Sequence, residues 1–159
     1  MSGAVYVADW RNDRIQKFDP DGKHLASFGV SGREDGEFYR PSGVAVGRNG
    51  NVYVADWGNE RVQVLGPDGS FLASLRGESG LSSWGVEYFS NNADELEARE
   101  ISDLEPDLDL TPDDFLRHES ASIEKLFWSP TSVSLDDHDN VYVVDSCRHR
   151  IQVYLVSVV

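Results

Sequence analysis

A chain of 159 residues fits one domain, and 40% apolar with 26% charged residues is the composition of a soluble globular protein. A formal net charge of −14 argues against binding phosphate backbones or anionic membrane surfaces, because such binding rests on Lys and Arg, while leaving a basic partner compatible. One cysteine, Cys147, rules out an intrachain disulfide framework, no apolar run approaches the ~18 residues of a membrane span, and Met-Ser-Gly-Ala-Val lacks the basic and apolar regions of a signal peptide; the compartment stays open.

The chain opens on Val5-Tyr-Val-Ala-Asp-Trp-Arg-Asn-Asp-Arg-Ile-Gln, which returns 47 residues later as Val52-Tyr-Val-Ala-Asp-Trp-Gly-Asn-Glu-Arg-Val-Gln. It returns again, 89 residues further, as Val141-Tyr-Val-Val-Asp-Ser-Cys-Arg-His-Arg-Ile-Gln. The flanks repeat too. Pro41-Ser-Gly-Val-Ala-Val precedes Val52 by 11 residues, as Pro130-Thr-Ser-Val-Ser-Leu precedes Val141. Asp19-Pro-Asp-Gly follows the first copy and Gly66-Pro-Asp-Gly the second. A period of 40–50 residues marks a propeller or a solenoid.

The second copy predicts four strands: Val44–Val46, Val52–Ala55, Val62–Leu65 and Phe71–Leu75. Asn49-Gly50 turns the first into the second, and Pro67-Asp68-Gly69 turns the third into the fourth. The second strand is apolar on both faces, Val52 and Val54 on one and Tyr53 and Ala55 on the other, so its sheet is expected to lie between two others. Four-stranded sheets stacked face to face are propeller blades. The first copy starts at its second strand, Val5–Ala8, and the third ends near Tyr154 without a Pro-Asp-Gly turn. The expected fold is therefore all-β, with about three four-stranded antiparallel blades whose terminal members are incomplete at three strands. That falls short of the ~24 strands of a closed six-bladed ring. A segment of a longer propeller explains the shortfall; two chains meeting as a pseudo-ring explains it less well, since strands would still be missing. Either way a blade face stays open at each end, a surface that recruits a partner or the remaining blades.

These residues resemble the NHL repeat, which builds six-bladed propellers. The resemblance rests on Asp9, Asn12 and Arg14 in copy one and on Asp56, Asn59 and Arg61 in copy two. Copy three keeps Asp145 and Arg150 but carries Arg148 in place of the Asn. The resemblance implies a protein-interaction or ligand-binding scaffold. It also allows a fragment of a propeller enzyme, such as a metal-dependent lyase or lactone-type hydrolase, with most of its site outside this chain. No catalytic or cofactor-binding residue is assigned on either reading. The channel-facing stretches Gly43–Val46 and Ser132–Leu135 carry no His or Glu, which favours the scaffold.

Three regions follow: residues 1–77, two blades; 78–127, an acidic insertion; and 128–159, an incomplete third blade. From Glu78 to Lys125 there are 14 Asp and Glu against three Lys and Arg. Helices are expected from Asn92, as an N-cap, and from Thr111-Pro-Asp-Asp, with an extended strap at Asp103-Leu-Glu-Pro-Asp-Leu-Asp-Leu between them. The insertion reads as a lid packed through Trp84, Phe89, Leu108, Phe115 and Trp128, or as a docking arm for a basic partner.

Candidate site residues are few. The Asp–Arg pairs five apart, Asp9/Arg14, Asp56/Arg61 and Asp145/Arg150, are expected to close a turn in each blade. Trp10 and Trp57, next to those aspartates, could form an aromatic rim for a protein or carbohydrate partner or pack onto the next blade. Calcium at Asp103, Glu105, Asp107 and Asp109 is disfavoured by Pro106 and by the lack of the loop glycine. Cys147 and His149 lack the further ligands a metal needs. The expectation is no resident cofactor and no metal.

Overall fold

The computed structural model describes residues 3–109 and 115–155. Ten strands in these residues form three antiparallel sheets. Blade one holds β1 (Val5–Asp9), β2 (Arg14–Phe18) and β3 (His24–Phe28). Blade two holds β4 (Pro41–Val46), β5 (Val52–Asp56), β6 (Arg61–Leu65) and β7 (Phe71–Leu75), in spatial order β4-β5-β6-β7. Blade three holds β8 (Pro130–Leu135), β9 (Val141–Asp145) and β10 (Arg150–Tyr154). The division into three, four and three strands is the one the repeat predicts, so the chain is an all-β partial array of propeller blades.

Strand pairing repeats from blade to blade. Asp9 faces Arg14, Asp56 faces Arg61 and Asp145 faces Arg150 at the same end of each sheet. The ladder shifts between Pro41 and Gly43, and again between Pro130 and Ser132, leaving an extra residue at the start of each innermost strand. Such bulges bend a strand at a sheet rim.

The core lies between the blades. Val52 and Val54 of β5 pack with Ile15 and Phe28 of blade one, with Tyr6 and Ala8 beside them. Tyr53 and Ala55, on the other face of the same strand, pack with Val133, Val141 and Val143 of blade three. Every residue of β5 is buried, and all of them except Asp56 are apolar, as a strand covered on both faces requires. The outer faces of the end blades are bare: Val5 and Val7 are 50% and 41% exposed, Ile151 and Val153 63% and 49%.

The insertion joins β7 to β8. It carries α1 (Ser83–Asn91), α2 (Ala93–Glu100) and α3 (Phe115–Ser122). Its two ends meet where the Phe127 backbone N–H donates to the Arg76 carbonyl at 2.7 Å. Gly77, at φ +104°, makes this neck possible: a Cβ there would stand 2.2 Å from the Lys125 carbonyl oxygen.

Two expectations for this segment need correction. Trp84 does not pack on the blades; it is 83% exposed, because α1 buries none of its residues. Phe89, Leu108 and Trp128 are half-buried, and the Phe115 side chain lies outside the described residues. Asn92 occupies the N-cap position of α2 but makes no capping bond; its amide donates to the Tyr88 carbonyl at 2.8 Å instead. Helix α1 was not foreseen. Its start is the Ser82 hydroxyl accepting from the Gly85 N–H at 3.1 Å, while Gly85, Val86 and Tyr88 weaken its intrinsic helix preference. The Thr111 to Asp114 helix start lies outside the described residues.

Candidate functional site: an aromatic and arginine-lined rim

One turn, repeated three times, builds the rim. In blade two the chain leaves β5 at Asp56, makes a short 3-10 turn over Trp57–Asn59, and re-enters the sheet at Arg61. Asp56 is fully buried and organises the turn. One carboxylate oxygen accepts from the Tyr39 backbone N–H at 2.8 Å. The other accepts from Asn59 at 2.8 Å, Arg61 at 2.9 Å and Gln63 at 3.2 Å. Burial pushes the Asp56 carboxyl upward, against the pull of these donors.

Blade one repeats the arrangement in the open. Asp9 accepts from Asn12 at 2.8 Å, Arg14 at 2.9 Å and Gln16 at 2.8 Å. Here the bond from Arg14, followed by that from Asn12, holds the carboxyl below its ordinary value. Opposite shifts in the same motif follow from solvent exposure.

Blade three departs where the sequence departs. Asp145 accepts from the Trp128 backbone N–H at 2.7 Å and from Arg150 at 2.8 Å. Arg148, in the Asn position, turns away and donates to the carbonyls of Ser120, Ala121 and Ile123 at 2.6, 3.2 and 2.7 Å. Gln152 also turns away, donating to the Glu78 carbonyl at 2.7 Å. Two residues that close the turn in the other blades therefore hold the insertion.

The turns of blades one and two each also project a tryptophan onto the rim. Trp10 and Trp57 line one cavity of about 420 Å³ with Arg40, Pro41, Ser42 and Thr131. Pro41 and Thr131 belong to the starts of β4 and β8, so this cavity lies over the inner strands. A second recess of about 230 Å³ shares Arg40 and Trp57 and adds Arg33, Tyr39, Glu60 and Arg117. Trp10 is 49% exposed. Three guanidiniums lie near rings here: Arg11 at 5.0 Å from Trp10, Arg40 at 5.3 Å from Tyr39 and Arg117 at 5.9 Å from Trp57.

The sequence reading missed Asp13 and Glu60. Each follows its turn in the left-handed region, at φ +51° and +52°. Asp13 accepts from the Arg40 backbone N–H at 2.7 Å, and Glu60 accepts from the Ser129 backbone N–H. The available signal was an acid four residues after Asp9 and again after Asp56; copy three has His149 there.

The remaining candidates line neither of these recesses. Asp103 accepts from the Glu105 backbone N–H at 3.0 Å, and Glu105 pairs with Lys125. Among the described residues no three His, Cys, Asp or Glu gather in a metal-binding arrangement. The Cys147 backbone N–H donates to the Trp128 carbonyl at 3.1 Å, and His149 sits at φ +53°. A larger cleft, about 510 Å³, runs beside β10 between Leu81 and Val153. No helix of the described residues is long and apolar enough to cross a membrane.

No curated protein matches the chain. Among solved structures it is similar to a streptogramin B lyase, at 12% identity and a TM-score of 0.49 over 98% of this chain and 38% of that one. It is also similar to a catalytically inactive virginiamycin B lyase from Staphylococcus aureus with quinupristin, at 10% identity and a TM-score of 0.46 over 98% of this chain and 38% of that one. The chain thus spans 38% of the length of each of these structures. The family model described as the NHL repeat matches residues 38–65 and 127–154, which are the lead-in and first three strands of blade two and the equivalent stretch of blade three. Two stretches of the chain thus match the NHL repeat, and blade one is built on the same turn.

Proposed function

We propose that the blades serve as a protein-binding scaffold and that the Trp10–Trp57 cleft is its contact surface. The observation that carries this reading is the shared cavity: two tryptophans at equivalent turn positions of adjacent blades line one recess of about 420 Å³. Large aromatics that stay accessible on a rigid frame are the side chains that dominate binding energy at protein interfaces. The frame is rigid because Asp56 and its four donors fix the turn that carries Trp57.

The test is a phage-displayed random peptide library panned over the parent chain and over Trp10→Ala/Trp57→Ala. Enrichment on the parent that disappears on the double variant supports the reading. Equal enrichment on both, or none on the parent, sinks it.

The two bare faces support a second neighbour, another blade of the same repeat. Inside the chain, the Tyr and Ala side of one central strand meets the Val and Val side of the next: Tyr6 and Ala8 against Val52 and Val54, then Tyr53 and Ala55 against Val141 and Val143. The free faces offer the two missing halves, Val5 and Val7 at one end and Tyr142 and Val144 at the other. Sedimentation equilibrium should therefore detect head-to-tail association that Val7→Asp or Val144→Asp abolishes. A chain that stays monomeric at high micromolar concentration would refute this stacking.

A further inference from the structure

The chain holds eleven arginines, and the structure divides them sharply. Arg14, Arg61 and Arg150 are bound to the turn aspartates, Arg76 to Glu119, Arg99 to Glu124 and Arg48 to Asp137. Arg148 is taken up by backbone carbonyls of the insertion. That leaves Arg11, Arg33, Arg40 and Arg117, none of which has an ion pair among the described residues. All four belong to the rim. Arg33, Arg40 and Arg117 line one recess with Trp57 and Tyr39, and Arg11 stacks beside Trp10 at the neighbouring cavity. The one acid in that recess, Glu60, is 3% exposed and turned to the Ser129 N–H. A chain of net charge −14 thus presents a local positive surface at its aromatic cleft.

We infer that this cleft binds an extended peptide segment bearing two or more carboxylates around an apolar side chain. The inference rests on the cleft being a contact surface. The apolar side chain enters the cavity between Trp10 and Trp57, beside Pro41. The carboxylates meet Arg40, Arg33 and Arg117 in the adjoining recess. A guanidinium offers two parallel N–H donors that match a carboxylate, and a ring beside it limits its freedom before binding. A peptide is favoured over a nucleic acid because the repulsion from the rest of this acidic chain grows with each phosphate of a long polyanion. A short segment is affected mainly within a Debye length of ~8 Å at physiological salt.

The test is fluorescence anisotropy with rhodamine-labelled dodecapeptides alternating Leu with Glu, Gln or Lys, plus an oligouridine of the same length. The Glu peptide should bind the parent chain at least ten-fold more tightly than the Gln peptide. Arg33→Gln/Arg40→Gln/Arg117→Gln should erase that difference while melting like the parent. Should the triple variant melt differently, Arg33→Lys/Arg40→Lys/Arg117→Lys replaces it, keeping charge and losing the fork, with selectivity expected between the two. Equal binding of the Glu and Gln peptides, lost in Trp10→Ala/Trp57→Ala, overturns the acidic partner and leaves the cleft a contact surface. Tighter binding of the Lys peptide overturns it in favour of the acidic insertion as the docking element. Oligouridine binding at physiological salt that the triple variant loses overturns the choice of a peptide. Absence of binding by any probe overturns the inference outright.

Discussion

Glu60 and Ser129 lie 69 residues apart in the chain, yet the Glu60 carboxylate accepts the Ser129 backbone N–H and clamps blade two to blade three. Asp13 and Arg40 make the same clamp between blades one and two. The acid sits in the left-handed region after the turn, and the N–H it receives belongs to a residue that also has positive φ, +62° at Ser129 and +54° at Arg40. Glu60→Ala should strand a buried N–H at a cost of about 1–3 kcal/mol. Asp13→Ala should cost less, because its site is exposed and water replaces the acceptor. Urea denaturation of the two variants measures the order; an equal or reversed order would sink the burial argument.

Burial raises the Glu60 carboxyl above its ordinary value. A group with a raised folded-state value contributes stability that is full below the unfolded value, ~4.3, and is lost as pH rises through the folded one. Glu60→Gln keeps an oxygen acceptor and removes the titration. The stability of the variant relative to the parent should therefore improve as pH rises from about 4 to 7. Denaturation at a series of pH values checks the sign, and a flat difference would contradict it.

Asp56 binds four donors while fully buried, and Arg61 beside it is 11% exposed at its side chain. Removing one partner of such a pair leaves the other charged and poorly hydrated, so Asp56→Ala should cost about 3–5 kcal/mol. The equivalent change at Asp9, where Arg14 is 40% exposed, should cost far less. Thermal melts of the two variants decide; equal losses would mean that burial does not govern the motif.

Arg148→Asn restores the residue that the turn carries in the other blades. It should free the Ser120, Ala121 and Ile123 carbonyls and let the new amide reach Asp145. Hydrogen exchange should speed up across residues 117–123 and stay unchanged in β5 and β9. Protection that persists in the insertion would show that Arg148 does not hold it.

Deleting Ser79–Ile123 across a short Gly/Ser bridge should leave the blades folded, since the Phe127 N–H to Arg76 carbonyl bond closes the neck without the deleted residues. The deletion removes the acceptors of Arg148, so Arg148→Asn belongs in the same chain. Circular dichroism should retain a cooperative β-sheet melt. Its loss would make the insertion part of the core.

The repeats were legible because each blade must satisfy the same local demands. Val-Tyr-Val alternation sets two packing faces, and Asn-Gly and Pro-Asp-Gly set the turns. Asp with an Arg five residues later closes the next turn, since antiparallel pairing brings those two residues opposite each other. The acidic insertion was harder to read, since its helices bury little and no period constrains them. Helix α1 starts on one serine cap, and Trp84 stands in solvent despite being one of the five residues expected to pack.

The sequence by itself determined the strands, their grouping into three, four and three, and the two-sided burial of β5, because these follow from short-range alternation and turn chemistry. Only the tertiary structure decided that Trp10, Trp57, Arg33, Arg40 and Arg117 share one rim, and that Arg148 leaves its turn for the insertion. The reason is distance along the chain. Arg117 reaches Trp57 from an insertion with no repeat to place it, and the stacking of blades that brings Glu60 to Ser129 has no local signature.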